Sequence, residues 1–385
     1  MKKSTSSGSD SINAIVLMDI YPSIKRTLLH LVNLSLCSGI FPSVLKNTKI
    51  TPIQKPGKNS LEASSYRPVS NTCSIGKIIE RCVFKQILDH INNLQLINEN
   101  HHGGVKHHST TTCVLQLLND ANNELEMNKK TALMAVDLSS AYDLVDHKLL
   151  LEKCRLLSIG EVCLKWIEGF LSNRSQFVEL GGIKSSTLKC GPEGVVQGGP
   201  SSGELFVIFL NTLPIASLPA TKRPVEANAS SNQFVDDLNS VISGTNEEEL
   251  NVNIQNEFLR IHNYLVSHKM QINSSKTQLM YLNPSKSQEL NPLVIDKYKI
   301  KHQDNMKVLG ITISANLKWD DHIKNGSNNM VKRLNAKNAM LRSLQNQIPF
   351  KALSMTANNL INSTIIYGAP IWAGTSCGNK DILQK

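Results

Sequence analysis

Phe234-Val235-Asp236-Asp237-Leu238 sets two adjacent carboxylates inside an apolar run. Asp is a poor strand former, and burying its charge costs several kcal/mol. The pattern has a partner upstream, where Val136-Asp137-Leu138 ends the apolar run 132–136. Two readings are open. An Asp-Asp pair can sit at the tip of a surface hairpin, with its charges in water. Alternatively, carboxylates from two neighbouring strands can converge on two divalent ions ~3.5–4 Å apart, which is what nucleotidyl transfer requires. Mg²⁺ suits hard carboxylate oxygens and retains waters, so few protein ligands suffice.

Working outward, β-like runs occupy residues 131–138, 176–180, 233–242, 277–282 and 308–313. Helical spacing of apolar residues covers 24–36, 74–96 with Ser74 as the cap, and 109–127. Thr245 and Glu248 form a capping-box pattern ahead of a helix carrying Leu250, Ile254, Phe258, Ile261 and Leu265. Strands and helices interleave without regular βαβ alternation, so an α+β fold is expected. Residues 214–231 and 283–291 read as loops. After Trp319 the chain turns helical and basic, which sets a subdomain boundary near residue 315.

The chain has 385 residues, with 41 Lys and Arg against 31 Asp and Glu, a formal charge of +10. That length allows two or three packed subdomains. The surplus favours a polyanionic partner, with nucleic acid first. No run reaches the roughly 18 apolar residues that span a membrane. Residues 1–11 are Ser-rich without an apolar core, so no secretory signal is expected, and an intracellular setting follows. The eight cysteines form no C-x-x-C pair and read as reduced, buried thiols. The pairs His101-His102 and His107-His108 read as a phosphate-contacting loop, or as having no role, ahead of metal ligation.

Asp137-Leu138-Ser139-Ser140-Ala141-Tyr142-Asp143, then Val145-Asp146-His147, resembles motif A of the reverse transcriptases of non-LTR (LINE/jockey-like) retrotransposons. Phe234-Val235-Asp236-Asp237 is similar to their motif C. The resemblance implies that Asp137, the Leu138 position, Asp236 and Asp237 hold two Mg²⁺ ions, with Mn²⁺ as a substitute. It makes Tyr142 a steric gate that excludes a ribose 2′-hydroxyl; simple core packing is the plainer reading of that ring. Pro52-Ile53-Gln54-Lys55-Pro56-Gly57-Lys58 and Tyr66-Arg67-Pro68-Val69-Ser70 resemble the fingers, where Lys55 and Arg67 would meet the dNTP triphosphate. Gly194-Val195-Val196-Gln197-Gly198-Gly199 resembles motif B, with Gln197 and Gly198 lining the nascent base pair. Asn273-Ser274-Ser275-Lys276-Thr277 resembles motif D, whose Lys276 would protonate pyrophosphate; a solvated surface lysine is the alternative. Val308-Leu309-Gly310 resembles the primer grip. Leu317-Lys318-Trp319-Asp320-Asp321-His322-Ile323 looks like the start of the thumb, and Tyr367-Gly368-Ala369-Pro370-Ile371-Trp372 like a signature near its end.

The resemblance therefore implies a right-hand polymerase. An N-terminal extension and fingers would cover residues 1–130. A palm, a small antiparallel sheet backed by helices with the motif C hairpin at its centre, would cover 131–315. A truncated thumb would follow at 316–385. The activity implied is RNA-directed DNA polymerisation, with an RNA template, a DNA primer and dNTPs as partners, in nucleus or cytoplasm. Some positions depart from the family pattern. Val196 replaces the usual Pro, Gly199 the common Ser, Pro200-Ser201-Ser202-Gly203-Glu204 the common Leu-Gly-Pro, and Gly103-Gly104-Val105 the common Gly-Phe-Arg. No room for an upstream endonuclease precedes the fingers, so a fragment or a polymerase-only reading frame is expected. An inactive relic that binds nucleic acid is the rival reading, and an RNA-templated RNA polymerase a third.

Overall fold

A computed structural model describes residues 6–213, 229–284, 292–295, 297–327 and 329–384. Residues 214–228 and 285–291, the bulk of the two expected loops, lie outside the described residues. The chain forms two compact units that interleave along the sequence. One comprises Met1–Glu99, Ser139–Leu213 and Tyr264–Gln271; the other comprises Asn100–Leu138, Pro214–Asn263 and Ile272–Lys385. Elements below are numbered along the chain.

The first unit carries α1 (Ala14–Ser38), α2 (Ser74–Asn93), α4 (His147–Leu156), α5 (Glu161–Leu171) and α6 (Ser202–Leu210). Its sheet has the order β2 (Tyr66–Asn71), β1 (Asn47–Gln54), β4 (Ser175–Leu180), β5 (Ile183–Lys184), with β6 (Leu188–Lys189) also on β4. Only β1 and β4 pair in parallel here. Phe41 meets Trp166 and Phe170 edge-on, and Trp166 stacks on Phe170 at 5.3 Å. Such pairs stabilise beyond their buried area. The Trp166 Nε1–H donates to Ser35 Oγ at 2.9 Å, so its polar atom is satisfied. Two helix starts differ from expectation. Helix α1 begins at Ala14, capped by Asn13, and runs through Pro22. Cys73 rather than Ser74 is the N-cap of α2, and the Ser74 hydroxyl donates to the Ile12 carbonyl instead.

The second unit is built on an antiparallel sheet of order β7 (Ala229–Phe234), β8 (Asp237–Gly244), β3 (Lys130–Val136), β9 (Gln278–Leu282). Helix α3 (Thr110–Glu126) and helix α7 (Glu247–Ser267) cover opposite faces. Strand alternation shows this: Ser230 and Ser243 donate to Asp120 and Glu124 of α3, whereas Ser231 and Ser240 donate to Glu257 of α7. On the α3 face Leu133, Val241 and Met280 share a core with Leu117 and with Met306, Val308 and Ile311. The last three belong to hairpin β12 (Asn305–Val308)–β13 (Ile311–Ser314), and a smaller hairpin pairs β10 (Leu293–Ile295) with β11 (Tyr298–Ile300). Helices α8 (Met330–Leu344), α9 (Phe350–Ile366), α10 (Ala369–Trp372) and α11 (Cys377–Gln384) follow, with Ile323, Met330, Leu334 and Trp372 as a local core.

The α+β class holds, and two details are corrected. The motif C hairpin is not central: β7 is the outer strand, while β8 and β3 occupy the middle. The cap of α7 shifts by one residue, because Asn246 Oδ1 accepts from the Glu249 N–H while the Glu249 carboxylate takes the Thr245 N–H.

Candidate active site

Val136 pairs with Leu238 across β3 and β8, so the register carried one residue further sets Asp137 opposite Asp237. Directly opposed residues have Cβ atoms ~4.5–5.5 Å apart. Both also have the parity of the α3 face, Asp137 with Leu133 and Asp237 with Val241. They line one cavity of about 310 Å³ together with Lys276, Lys307, Val308 and Leu309. Asp236 lies in the two-residue loop closed by the Phe234–Asp237 pair.

That loop is strained. Val235 has φ +57°, in the left-handed region where a two-residue hairpin favours Gly. A β-branched residue there costs ~1–3 kcal/mol and persists only when its surroundings fix it. The Gln233 side-chain amide donates to the Val235 carbonyl at 2.7 Å. Residues 100–103 run beside β7: Gln233 N–H donates to Asn100 O at 2.9 Å and His102 N–H to Gln233 O at 2.7 Å. Gly103 then packs so closely that a Cβ on it would lie 2.5 Å from Val235 Cγ2 and 2.6 Å from Val235 N.

The carboxylates feel one another. Burial raises Asp237, with Asp236 and Asp137 adding to the rise, to about 6. Burial also raises Asp236; its own backbone N–H opposes the rise and Asp137 adds to it. Asp137 Oδ2 is shielded from solvent and accepts no hydrogen bond, while the Lys276 ammonium lies 3.4 Å from it. Lys276 is 67% exposed, so water screens this pair. The backbone of Asp137 is pinned by the Asn273 N–H to its carbonyl at 2.8 Å and by its own N–H to Thr277 Oγ1 at 3.3 Å. Leu138 bridges to Ile272 through its neighbours' hydrogen bonds, which turns its own carbonyl to the other edge, the side on which β8 runs.

Among the described residues, no three His, Cys, Asp or Glu side chains are drawn into a set that would hold a metal ion. The donor chemistry nevertheless fits a hard divalent cation. Like charges in a partly buried site repel and raise one another's pKa, and a cation among the three carboxylates would relieve both effects.

The residues expected to grip the primer belong to the same unit. Leu309 and Gly310, at φ +46° and +86°, form the turn of β12–β13, and the Tyr367 hydroxyl donates to the Leu309 carbonyl. The other expected residues belong to the first unit. Lys55 follows β1 and donates through Nζ to the Ser64 carbonyl at 2.8 Å. Arg67 is an exposed member of β2, paired with Ile53. Tyr142 is half-buried and stacks on Phe206 at 5.0 Å. Gln197 lines a cavity of about 490 Å³ with Ser70, Asp143 and Arg174, and Gly198 has φ +93°.

One expectation is corrected. His101 and His102 are buried, so they form no phosphate-contacting loop. The His102 ring bonds Thr112 Oγ1 at 3.0 Å and Gln116 Oε1 at 2.9 Å, tying residues 100–103 to α3. Lys307, on the cavity wall, went unread in the sequence; its place just ahead of Val308 was the available signal. All eight cysteines are free, but only Cys73, Cys113 and Cys154 are buried, and Cys37 and Cys377 are exposed, which corrects the expectation of buried thiols.

A family model described as reverse transcriptase (RNA-dependent DNA polymerase) matches residues 53–313. The chain belongs to the reverse transcriptase family. This reverse transcriptase domain is 28% identical over 289 residues to the RNA-directed DNA polymerase from mobile element jockey of Drosophila melanogaster. The match covers 74% of the chain and 31% of that protein. Against the Drosophila funebris jockey polymerase the identity is 26% over 369 residues, 93% of the chain and 39% of the relative. The chain thus spans between 31% and 39% of the length of these relatives, and it is of their non-LTR, jockey-like kind. The apo telomerase of Candida tropicalis superposes with a TM-score of 0.50 at 13% identity, over 94% of the chain and 70% of that protein. That likeness shows the fold, a right-hand polymerase. Among the described residues no helix is long and apolar enough to cross a membrane.

Proposed function

We propose that this domain copies an RNA template into DNA by joining dNTPs to a primer 3′-hydroxyl. The observation that carries this reading is the opposed, coupled set of Asp137, Asp237 and Asp236 at one end of the β7–β8–β3–β9 sheet. Asp137, Asp236, Asp237 and the Leu138 carbonyl would hold two Mg²⁺ ions, or Mn²⁺ in their place. Bound there, the ions would activate the attacking hydroxyl and neutralise the triphosphate. Lys276, 3.4 Å from Asp137, would donate to the leaving pyrophosphate. Lys55 and Arg67 meet the triphosphate, Arg67 with a fork suited to two phosphate oxygens. Tyr142 closes the sugar site to a 2′-hydroxyl. Gln197 lines the nascent pair, and Gly198 lets backbone come close to it. Val308, Leu309 and Gly310 seat the primer end against the carboxylate cavity. The +10 charge supports a template–primer duplex held mainly by its phosphates and A-like shape.

The test is primer extension on poly(rA)/oligo(dT) with dNTPs and Mg²⁺ or Mn²⁺. Wild-type protein extends the primer. Asp236→Asn lowers the rate by ~10³ or more, the scale of lost transition-state electrostatics, while duplex affinity stays unchanged. Near wild-type extension by the variant would remove Asp236 from the chemistry.

A further inference from the structure

The loop that carries Gln197 and Gly198 is anchored from below by an acid that no catalytic motif contains. Glu80 lies on the inner face of α2 and is 2% exposed. A buried carboxylate needs partners, and Glu80 Oε1 accepts from the Ser201 backbone N–H at 2.9 Å and from the Ser201 hydroxyl. Ser201 is the N-cap of α6, where the first N–H groups lack helical partners and a negative charge is favoured. Its own side chain makes no capping bond, so the cap comes from α2. Arg174, itself 6% exposed, compensates the buried charge while donating to the Phe170 carbonyl and Thr48 Oγ1.

The rest of the loop is tied through backbone. Gly194 N–H donates to Val145 O at 2.9 Å, Val195 N–H to Tyr142 O at 2.8 Å, and Ser70 N–H to Gln197 O at 3.1 Å. A Cβ on Gly199 would lie 2.8 Å from Ser202 Oγ and 3.3 Å from Glu80 Oε1, so the turn rests directly on the acid. Helix α6 also carries Phe206, whose ring stacks on Tyr142. We infer that Glu80 is the positioning residue for the Gln197–Gly198 loop and, through α6, for the Tyr142 ring. It holds the stretch 200–204, where this chain departs from its family's common sequence. The inference rests on the polymerase reading for its effect on dNTPs, but not for the anchor itself.

The test combines amide hydrogen exchange with single-nucleotide extension on the full chain. Glu80→Gln keeps an oxygen acceptor facing Ser201 and is expected to preserve both loop protection and KM for dNTP. Glu80→Ala is expected to speed exchange at 195–202 and to raise KM for dNTP, each about tenfold, with KM for template–primer unchanged. Ser201→Ala removes one of the two bonds; it should give a smaller effect of the same kind, and it serves as the reporter if Glu80→Ala does not fold. Unchanged exchange at 195–202 in the alanine variants overturns the anchor. Faster exchange with unchanged KM, or a fall in kcat that only tracks the folded fraction, overturns the positioning role. A wild type that extends no primer overturns the polymerase reading instead, and the exchange data still decide the anchor.

Discussion

At the residue scale, the three aspartates were legible because they were misfits: charges inside apolar strand-like runs must have a reason to be there. The positioning acid of the first unit gave no such signal. Glu80 sits between Ile79 and Arg81 as one more polar residue of a helix, and only its burial against Ser201 sets it apart. Lys276 was singled out by resemblance, and its ammonium lies 3.4 Å from Asp137. Tyr142 is half-buried and stacks on Phe206. If its ring is the sugar gate, the wild-type protein prefers dNTPs. Tyr142→Ala should then lower the preference for dNTP over rNTP at least about tenfold, within the range set by one lost contact in a pocket. Single-nucleotide incorporation with matched dNTP and rNTP measures this, and an initial preference for rNTPs would remove the assignment.

At the element scale, run 233–242 holds the hairpin that motif C implied, whereas run 308–313, read as one strand, is a second hairpin. Turn chemistry alone would not mark the first, because Val235-Asp236 lacks the Asn-Gly or Gly pair such loops prefer. In the second, Gly310 was visible, but its neighbour Leu309 also takes positive φ. A strained Val235 needs outside support, and residues 100–103 lie against the turn. Gly103→Ala would drive a methyl into Val235, with overpacking that costs ~1–3 kcal/mol. The expected result is a lower Tm together with reduced extension. An unchanged Tm would mean that the turn has slack. The sequence-level departure at 103–105 thus retains the glycine that this contact requires.

At the scale of the whole molecule, charge and composition indicated a polyanion partner, and the order of motifs indicated the fold. What stayed hidden was how the chain divides. Its compact units are assembled from non-adjacent segments, and no local signal in a sequence reports long-range pairing. Three buried histidines likewise gave no signal of their burial in the sequence. Burial holds His101, His102 and His322 each at about 4, against an ordinary 6.5. Below pH 6.5 the unfolded chain takes up protons that the folded chain refuses until about pH 4. The stabilisation is therefore complete above 6.5 and is lost as pH falls toward 4. For one fully buried ring this amounts to about 3 kcal/mol. His101 is fully buried and burial is what holds its ring neutral, so His101→Leu should flatten the fall of Tm with acidification. A slope equal to that of the wild type would contradict this.

The central claim is that Asp137, Asp236 and Asp237 share divalent cations. Mn²⁺ binding followed by electron paramagnetic resonance, with dNTP and a chain-terminated primer on its template, tests it most directly. About two ions per chain should bind, and Asp137→Asn and Asp237→Asn should each weaken binding at least about tenfold. Wild-type stoichiometry and affinity in both variants would contradict it.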